Sequence, residues 1–137
     1  MTSQIGLLLA IVGLTFPYEI LAQSLSMDSC KYFAELVNEA RAKRLKKKLI
    51  YQESSQQIIN KSAEQLTILY KHRVTERQCS EVICYDHVFM DNFKRLMMSP
   101  RHRRILMGRA KNICVGIFKK DGEYYVCART YSELADL

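Results

Sequence analysis

The stretch that most constrains this chain is Ser99–Tyr131, SPRHRRILMGRAKNICVGIFKKDGEYYVCARTY. Its second part reads as a β-hairpin. Ile113, Val115 and Ile117 alternate with Cys114, Gly116 and Phe118, Lys119-Lys120-Asp121-Gly122 turns the chain, and Tyr124-Tyr125-Val126-Cys127 returns it. Its first part, from Ser99-Pro100 through Ile105-Leu106, reads as a capped helix. Serine can accept from the free N–H groups of a first helical turn, and proline at the first position loses only a donor that has no partner there. A helix that carries a histidine, His102, and feeds a two-stranded unit needs the remaining chain to cover it.

The upstream segments supply that cover. Asp28 is the expected cap of a first helix running to about Lys43, with Phe33, Leu36, Val37 and Ala40 at i, i+3, i+4 and i+7. Leu49-Ile50-Tyr51 reads as a short apolar linker that pins the following loop to the core. A second helix is expected from about Glu53 to His72, its stripe made by Ile58, Ile59, Ser62, Ala63, Leu66, Ile68 and Leu69. Arg73 to Cys84 reads as polar and irregular, with Val82-Ile83 as a hint of a strand that pairs with the hairpin's edge. A third helix is expected from about Asp86, as cap, to Met98, with Val88, Phe89, Phe93, Leu96 and Met97 facing inward. No internal repeat or low-complexity linker divides the chain. The order of elements predicts an α+β fold in which helices cover a sheet.

At 137 residues the chain has room for one domain with a single core. Ile5–Phe16 is an uncharged apolar run of signal-peptide length, short for a membrane span, and Ala22 and Ser24 are small residues suited to cleavage. Residues 1–24 are therefore expected to be a signal peptide, residues 25–137 the mature domain, and the protein secreted. Removing the leader takes away one acid, Glu19, and no Lys or Arg, so a formal charge of +7 becomes +8. Such a chain is drawn to anionic surfaces. Outside the cell these are membranes and glycans, and nucleic acid is not an expected partner.

Arg41, Lys43, Arg44, Lys46, Lys47 and Lys48 place six basic residues within eight positions. They read either as a solvated helix end favoured by the helix dipole or as a patch that binds glycans or phospholipids. The five cysteines, Cys30, Cys79, Cys84, Cys114 and Cys127, all follow the leader. In an oxidising compartment they predict two disulfides and one leftover thiol. Cys114 and Cys127 sit symmetrically about Lys120–Asp121 and would face each other across the hairpin, while Cys79 and Cys84 would close a small loop. Buried thiols acting as small apolar residues are the alternative.

Several motifs resemble the CAP superfamily, the cysteine-rich secretory protein, antigen 5 and pathogenesis-related-1 group. Ser99-Pro100-Arg101-His102-Arg103 followed by Ile105-Leu106 is similar to the S-P-G-H-R-x-x-I-L element of its compact bacterial-type members. Tyr124-Tyr125-Val126-Cys127-Ala128-Arg129-Thr130-Tyr131 resembles the terminal strand, and Asn38 with Arg41 fits the N-x-x-R of the first helix. Leu49-x-Tyr51 fits the L-x-W before the second helix, and Asn60-Lys61-Ser62-Ala63 fits the A-Q-x-x-A within it. The resemblance implies a three-layer α-β-α sandwich with a small, mainly antiparallel sheet. It also implies extracellular binding of a sterol, lipid or protein ligand rather than catalysis.

In that family two histidines and two acidic residues face a central cleft and can bind a divalent metal such as zinc. Carried over residue by residue, His102 matches the second histidine and His72 falls where the first is expected. Glu81 falls near the glutamate of the G-E-N element, with Ser80 and Val82 replacing its neighbours, and Asp91 is the nearest candidate for the second acid. The tryptophan beside that acid is absent, since the chain contains none. Two neutral imidazoles and a carboxylate can hold Zn²⁺ with a fourth position open. Two further functions follow as alternatives: a zinc-dependent hydrolase using His72, Glu81 and His102, and a cationic host-defence protein binding glycans or membranes through Arg41–Lys48. No nucleophile motif and no glycine-rich phosphate loop is present.

Overall fold

The computed structural model describes residues 22–74 and 79–132. The hairpin is its centre, formed by β4 (Asn112–Lys120) and β5 (Glu123–Tyr131). Asp121 and Gly122 make the turn, with φ of 51° and 78°. A two-residue turn with both φ positive matches the twist of the strands it joins, and glycine adopts it without a steric penalty. Lys120 therefore stands opposite Glu123, and the whole register follows from that pair.

The other strands add to both sides of the hairpin. β3 (Cys79–Asp86) runs antiparallel beside β5. β1 (Ala22–Ser24), antiparallel, and β2 (Ile50–Tyr51), parallel, share the outer edge of β4. Between them side chains stand in for a strand. The Val115 N–H donates to the Tyr51 hydroxyl at 3.3 Å, and Gln56 Nε2 donates to the Val115 carbonyl at 2.7 Å.

Helices cover both faces, so the expected α+β, three-layer α-β-α sandwich with a mainly antiparallel sheet is what the chain forms. α1 (Met27–Lys43), α3 (Phe89–Met98) and α4 (Pro100–Leu106) lie on one face. There Phe33, Val37, Leu96 and Leu106 pack on Val82, Ile113, Val115, Ile117 and Val126. α2 (Gln56–Leu66), entered through a 3₁₀ turn at Glu53–Ser55, lies on the other. Its Ile59, Ala63 and Leu66 pack on Ile83, Cys114, Phe118 and Cys127. The period-two alternation of the strands assigns each residue to its layer. α2 lies close against β4: a Cβ on Gly116 would stand 2.4 Å from the Ile59 carbonyl oxygen.

Several boundaries differ from the sequence expectation. Ser26, not Asp28, caps α1, its hydroxyl accepting from the Ser29 N–H at 3.3 Å, while Asp28 sits in the first turn. α2 stops at Leu66, well before His72, and leaves Ile68 and Leu69 exposed. Asp86 ends β3 instead of starting a helix, and its carboxylate accepts from the Val88 N–H at 3.1 Å. The segment read as irregular up to Cys84 contains most of β3, with Val82 and Ile83 buried at its centre and paired to the hairpin as expected. Of the expected leader, residues 1–21 lie outside the described residues and Ala22–Ser24 form β1.

Neither expected disulfide forms. Because the turn is centred on Asp121-Gly122, one residue later than the sequence symmetry placed it, Cys114 faces Arg129 and Cys127 faces Gly116. Cys79 and Cys84 lie near opposite ends of β3. Five residues of extended strand separate them by about 16 Å, far beyond the Cα spacing of roughly 4.4–6.8 Å that a disulfide tolerates. Cys30, Cys84, Cys114 and Cys127 are buried free thiols. Burial pushes the Cys30 thiol up to about 11 and the Cys114 thiol up to about 12.

Candidate functional site

The basic run and the hairpin entry meet at one place. α1 ends in a Schellman turn: the Leu45 N–H donates to the Ala42 carbonyl at 3.1 Å and the Lys46 N–H to the Arg41 carbonyl at 2.9 Å. Arg41 itself turns inward and is only 2 % exposed. Its Nε donates to the Lys47 carbonyl at 2.8 Å, and its Nη1 to the carbonyls of Leu106 at 2.8 Å and Gly108 at 2.9 Å. Asn38 clamps the far end of the loop, donating to the Leu49 carbonyl at 3.1 Å and accepting from the Leu49 N–H at 2.8 Å. The parallel β2–β4 pairing completes the join, with the Ile50 N–H donating to the Lys111 carbonyl at 2.9 Å.

The result is a surface groove of about 570 Å³ between the loop after α1 and the connection from α4 to β4. Lys46, Lys47, Lys48, Arg109 and Lys111 line it together with Leu45 and Ile50, which are 97 % and 66 % exposed. Among the described residues no acidic side chain lines it. Glu35 approaches Lys48 at 3.7 Å from outside, in an exposed pair that contributes little. Of the six basic residues singled out in sequence, Lys46, Lys47 and Lys48 thus face the groove and Arg41 is the brace behind it. Lys43 and Arg44 do not line it, and Arg44 Nη1 donates back to the Ala40 carbonyl at 3.2 Å.

Arg109 and Lys111 are not among the residues that the sequence singles out. The available signal was indirect. Leu49-x-Tyr51 and Ile113 are both short apolar β-formers, and pairing them brings the basic residues just before each strand side by side.

The second cluster surrounds Glu81, which is 6 % exposed. Its Oε2 accepts from Arg129 Nε at 2.8 Å and from the Cys127 thiol at 3.3 Å. Its Oε1 accepts from the Arg73 N–H at 3.3 Å and stands 3.0 Å from His72 Nδ1. Arg129 Nη2 goes on to donate to the Ser62 hydroxyl at 3.0 Å, which ties β3, β5 and α2 together. Burial by itself would push the Glu81 carboxyl up. The bonds from Arg129 and Cys127, with the Arg129 charge, outweigh it and hold the carboxyl below its ordinary value.

His102, on α4, is half-buried and near enough to His72 to sense it. Burial first, then the nearby His72 and Arg101, lower its proton affinity. His72 thus contacts Glu81 and influences His102. Both carboxylate oxygens of Glu81 are already engaged, Oε2 by Arg129 and Cys127 and Oε1 by the Arg73 N–H and His72. Among the described residues no group of three or more His, Cys, Asp or Glu side chains is gathered to hold a metal ion. Asp91 sits in the first turn of α3, 3.9 Å from Lys94.

No family model matches the chain, and no curated protein matches it. Among solved structures, an outer surface protein from Borrelia burgdorferi is similar in fold, with a TM-score of 0.69. The two are 11 % identical, and the match covers 82 % of this chain and 98 % of that one. At that identity the likeness is one of fold.

Proposed function

We propose that this protein is an extracellular, non-catalytic binding domain that takes anionic ligands at the groove between the loop after α1 and the start of β4. One observation carries this reading. Lys46, Lys47, Lys48, Arg109 and Lys111, from two distant segments, line a groove of about 570 Å³, and among the described residues no acidic side chain joins them. Clustered cations that outnumber the acids beside them raise the local concentration of anions and speed their capture. The inward braces Asn38 and Arg41 support it further, because they hold the backbone of the loop in place while its lysines face solvent.

The resemblance to the CAP superfamily agrees with this reading. The two residues of its N-x-x-R motif, Asn38 and Arg41, are the braces, and the Ser99-Pro100 element starts α4, which leads into Arg109 and Lys111. Secretion, a lipid ligand and CAP membership belong to the same proposal. The test is retention of the full chain on heparin at increasing salt. A variant carrying Lys46→Ser, Lys47→Ser and Lys48→Ser should elute at clearly lower salt. Equal elution would remove the groove from the reading.

A zinc-dependent hydrolase is the second reading, favoured by the contact of His72 with Glu81 at 3.0 Å and by the electrostatic influence of His72 on His102. It requires Glu81 to exchange a bond from His72 or Arg129 for the metal. Calorimetric titration with zinc separates the two readings: tight one-to-one binding that His102→Ala abolishes would support the hydrolase.

A further inference from the structure

Leu45 is the residue of this groove that the fold does not explain. It occupies the position of a Schellman turn that glycine normally takes, with φ of 57°. A side chain there meets the backbone, so leucine costs conformational energy that glycine would avoid. Such strain persists where it serves something else. The apolar contact that usually accompanies this turn joins the residue after Leu45 to one in the last helical turn. Here those residues are Lys46 and Arg41, and Leu45 takes no part. Its side chain is 97 % exposed, so the core gains nothing from it.

What surrounds Leu45 gives it a use. Ile50 opens onto the same groove and is 66 % exposed, and the cations Lys46, Lys47, Lys48, Arg109 and Lys111 stand around the two apolar side chains. Exposed apolar groups beside clustered cations match the chemistry of a bilayer face, acyl chains inside and phosphates outside. Lysine stems can lie along that boundary with their ammonium groups among the headgroups. A glycan chain would use the cations and leave Leu45 in water.

We propose that the groove docks on a lipid bilayer carrying anionic headgroups, with Leu45 inserted among the acyl chains and Ile50 at the interface beside it. The proposal rests on the anionic-ligand reading above and narrows its partner to a membrane surface. Electrostatics supplies the approach and the choice of lipid, and burial of the leucine supplies residence.

The chain contains no tryptophan, so Leu45→Trp introduces a single fluorescent reporter at the loop tip. With the full chain and vesicles of phosphatidylcholine plus phosphatidylglycerol, the emission of the introduced indole should shift to the blue. Lipids brominated on their acyl chains should quench it. Neutral phosphatidylcholine vesicles should produce neither effect, which separates docking by this loop from any contact made by the apolar N-terminal run. Adding Lys46→Ser, Lys47→Ser and Lys48→Ser should abolish the shift. In the otherwise native chain, Leu45→Ser should weaken partition onto anionic vesicles about tenfold or more. Leu45→Gly should keep or raise the thermal midpoint, since it relieves the turn.

No shift on anionic vesicles, or an equal shift on neutral ones, would overturn the proposal. So would a Leu45→Ser variant that partitions as well as the native chain. If the shift fails while heparin retention persists, the membrane step alone falls. Loss of both removes the anionic-ligand reading as well.

Discussion

The guanidinium of Arg41 lies 2.8 Å from the carbonyl of Leu106, 65 residues further along the chain. The same Nη1 reaches Gly108, and Nε reaches Lys47, so one buried side chain fastens the end of α1 and its loop to the connection between α4 and β4. The cations of the groove come from those two segments. Arg41 therefore builds the groove through its three bonds to backbone carbonyls.

Replacing Arg41 should reveal that role. Lysine carries a compact charge and cannot span three carbonyls with a planar fork. Arg41→Lys should cost about 2–4 kcal/mol, from weakened charged hydrogen bonds and buried carbonyls left short of a donor. Urea unfolding should show the loss, and heparin elution should move to lower salt although the formal charge is unchanged. Unaltered stability would mean that the three bonds do not brace the loop.

Glu81 and Arg129 make the other buried bridge, 2.8 Å between Oε2 and Nε. Removing one partner of such a pair strands the other charge away from water. Glu81→Gln should lower stability by about 3–5 kcal/mol, read as a drop in the urea midpoint with little change of slope. A loss below that range would show that water reaches Arg129.

Acid should weaken the native chain in two steps. The folded state holds His102 below its ordinary value of 6.5, so the unfolded chain takes up that proton first as pH falls through 6.5. It holds Glu81 below 4.5, so further stability is lost as pH falls through 4.5 toward the folded value. Both groups act in the same direction, because the unfolded state binds more protons in each window. Urea midpoints measured from pH 7.5 to 3.5 should fall throughout, and Glu81→Gln should flatten the lower part of the curve. A stability maximum near pH 5 would contradict both assignments.

The thiols of Cys30, Cys114 and Cys127 should resist modification in the folded protein. Burial keeps them protonated, and the thiolate is the reactive form. Alkylation followed by mass spectrometry should find these three unlabelled until denaturant is added. A peptide linking Cys114 to Cys127 would contradict the register of the hairpin.

What the sequence made legible is what local rules determine. The alternation of Ile113–Phe118, a turn within Lys119–Gly122, the stripe of α1 and the Ser99-Pro100 helix start each lie within a few residues. What it hid depends on partners far along the chain. β3 was obscured because Ser80 and Glu81 interrupt its apolar pattern, and Glu81 is tolerated inside only because Arg129 arrives from the neighbouring strand. The cysteine pairing failed through a shift of one residue in the turn centre, which moved Cys114 from Cys127 to Arg129. The groove was half visible: the lysines after α1 stand out, whereas Arg109 and Lys111 gain meaning only once Arg41 and the β2–β4 pairing bring them alongside.

That junction offers the most direct test of the account. Salt-gradient elution of the full chain from heparin should be compared for the native protein, the triple Lys46→Ser, Lys47→Ser, Lys48→Ser variant, and the double Arg109→Ser, Lys111→Ser variant. If the two segments form one anionic-ligand groove, both variants elute at clearly lower salt than the native chain. If the double variant elutes with the native protein while the triple does not, the lysines act as an isolated basic run and the groove is not the binding site.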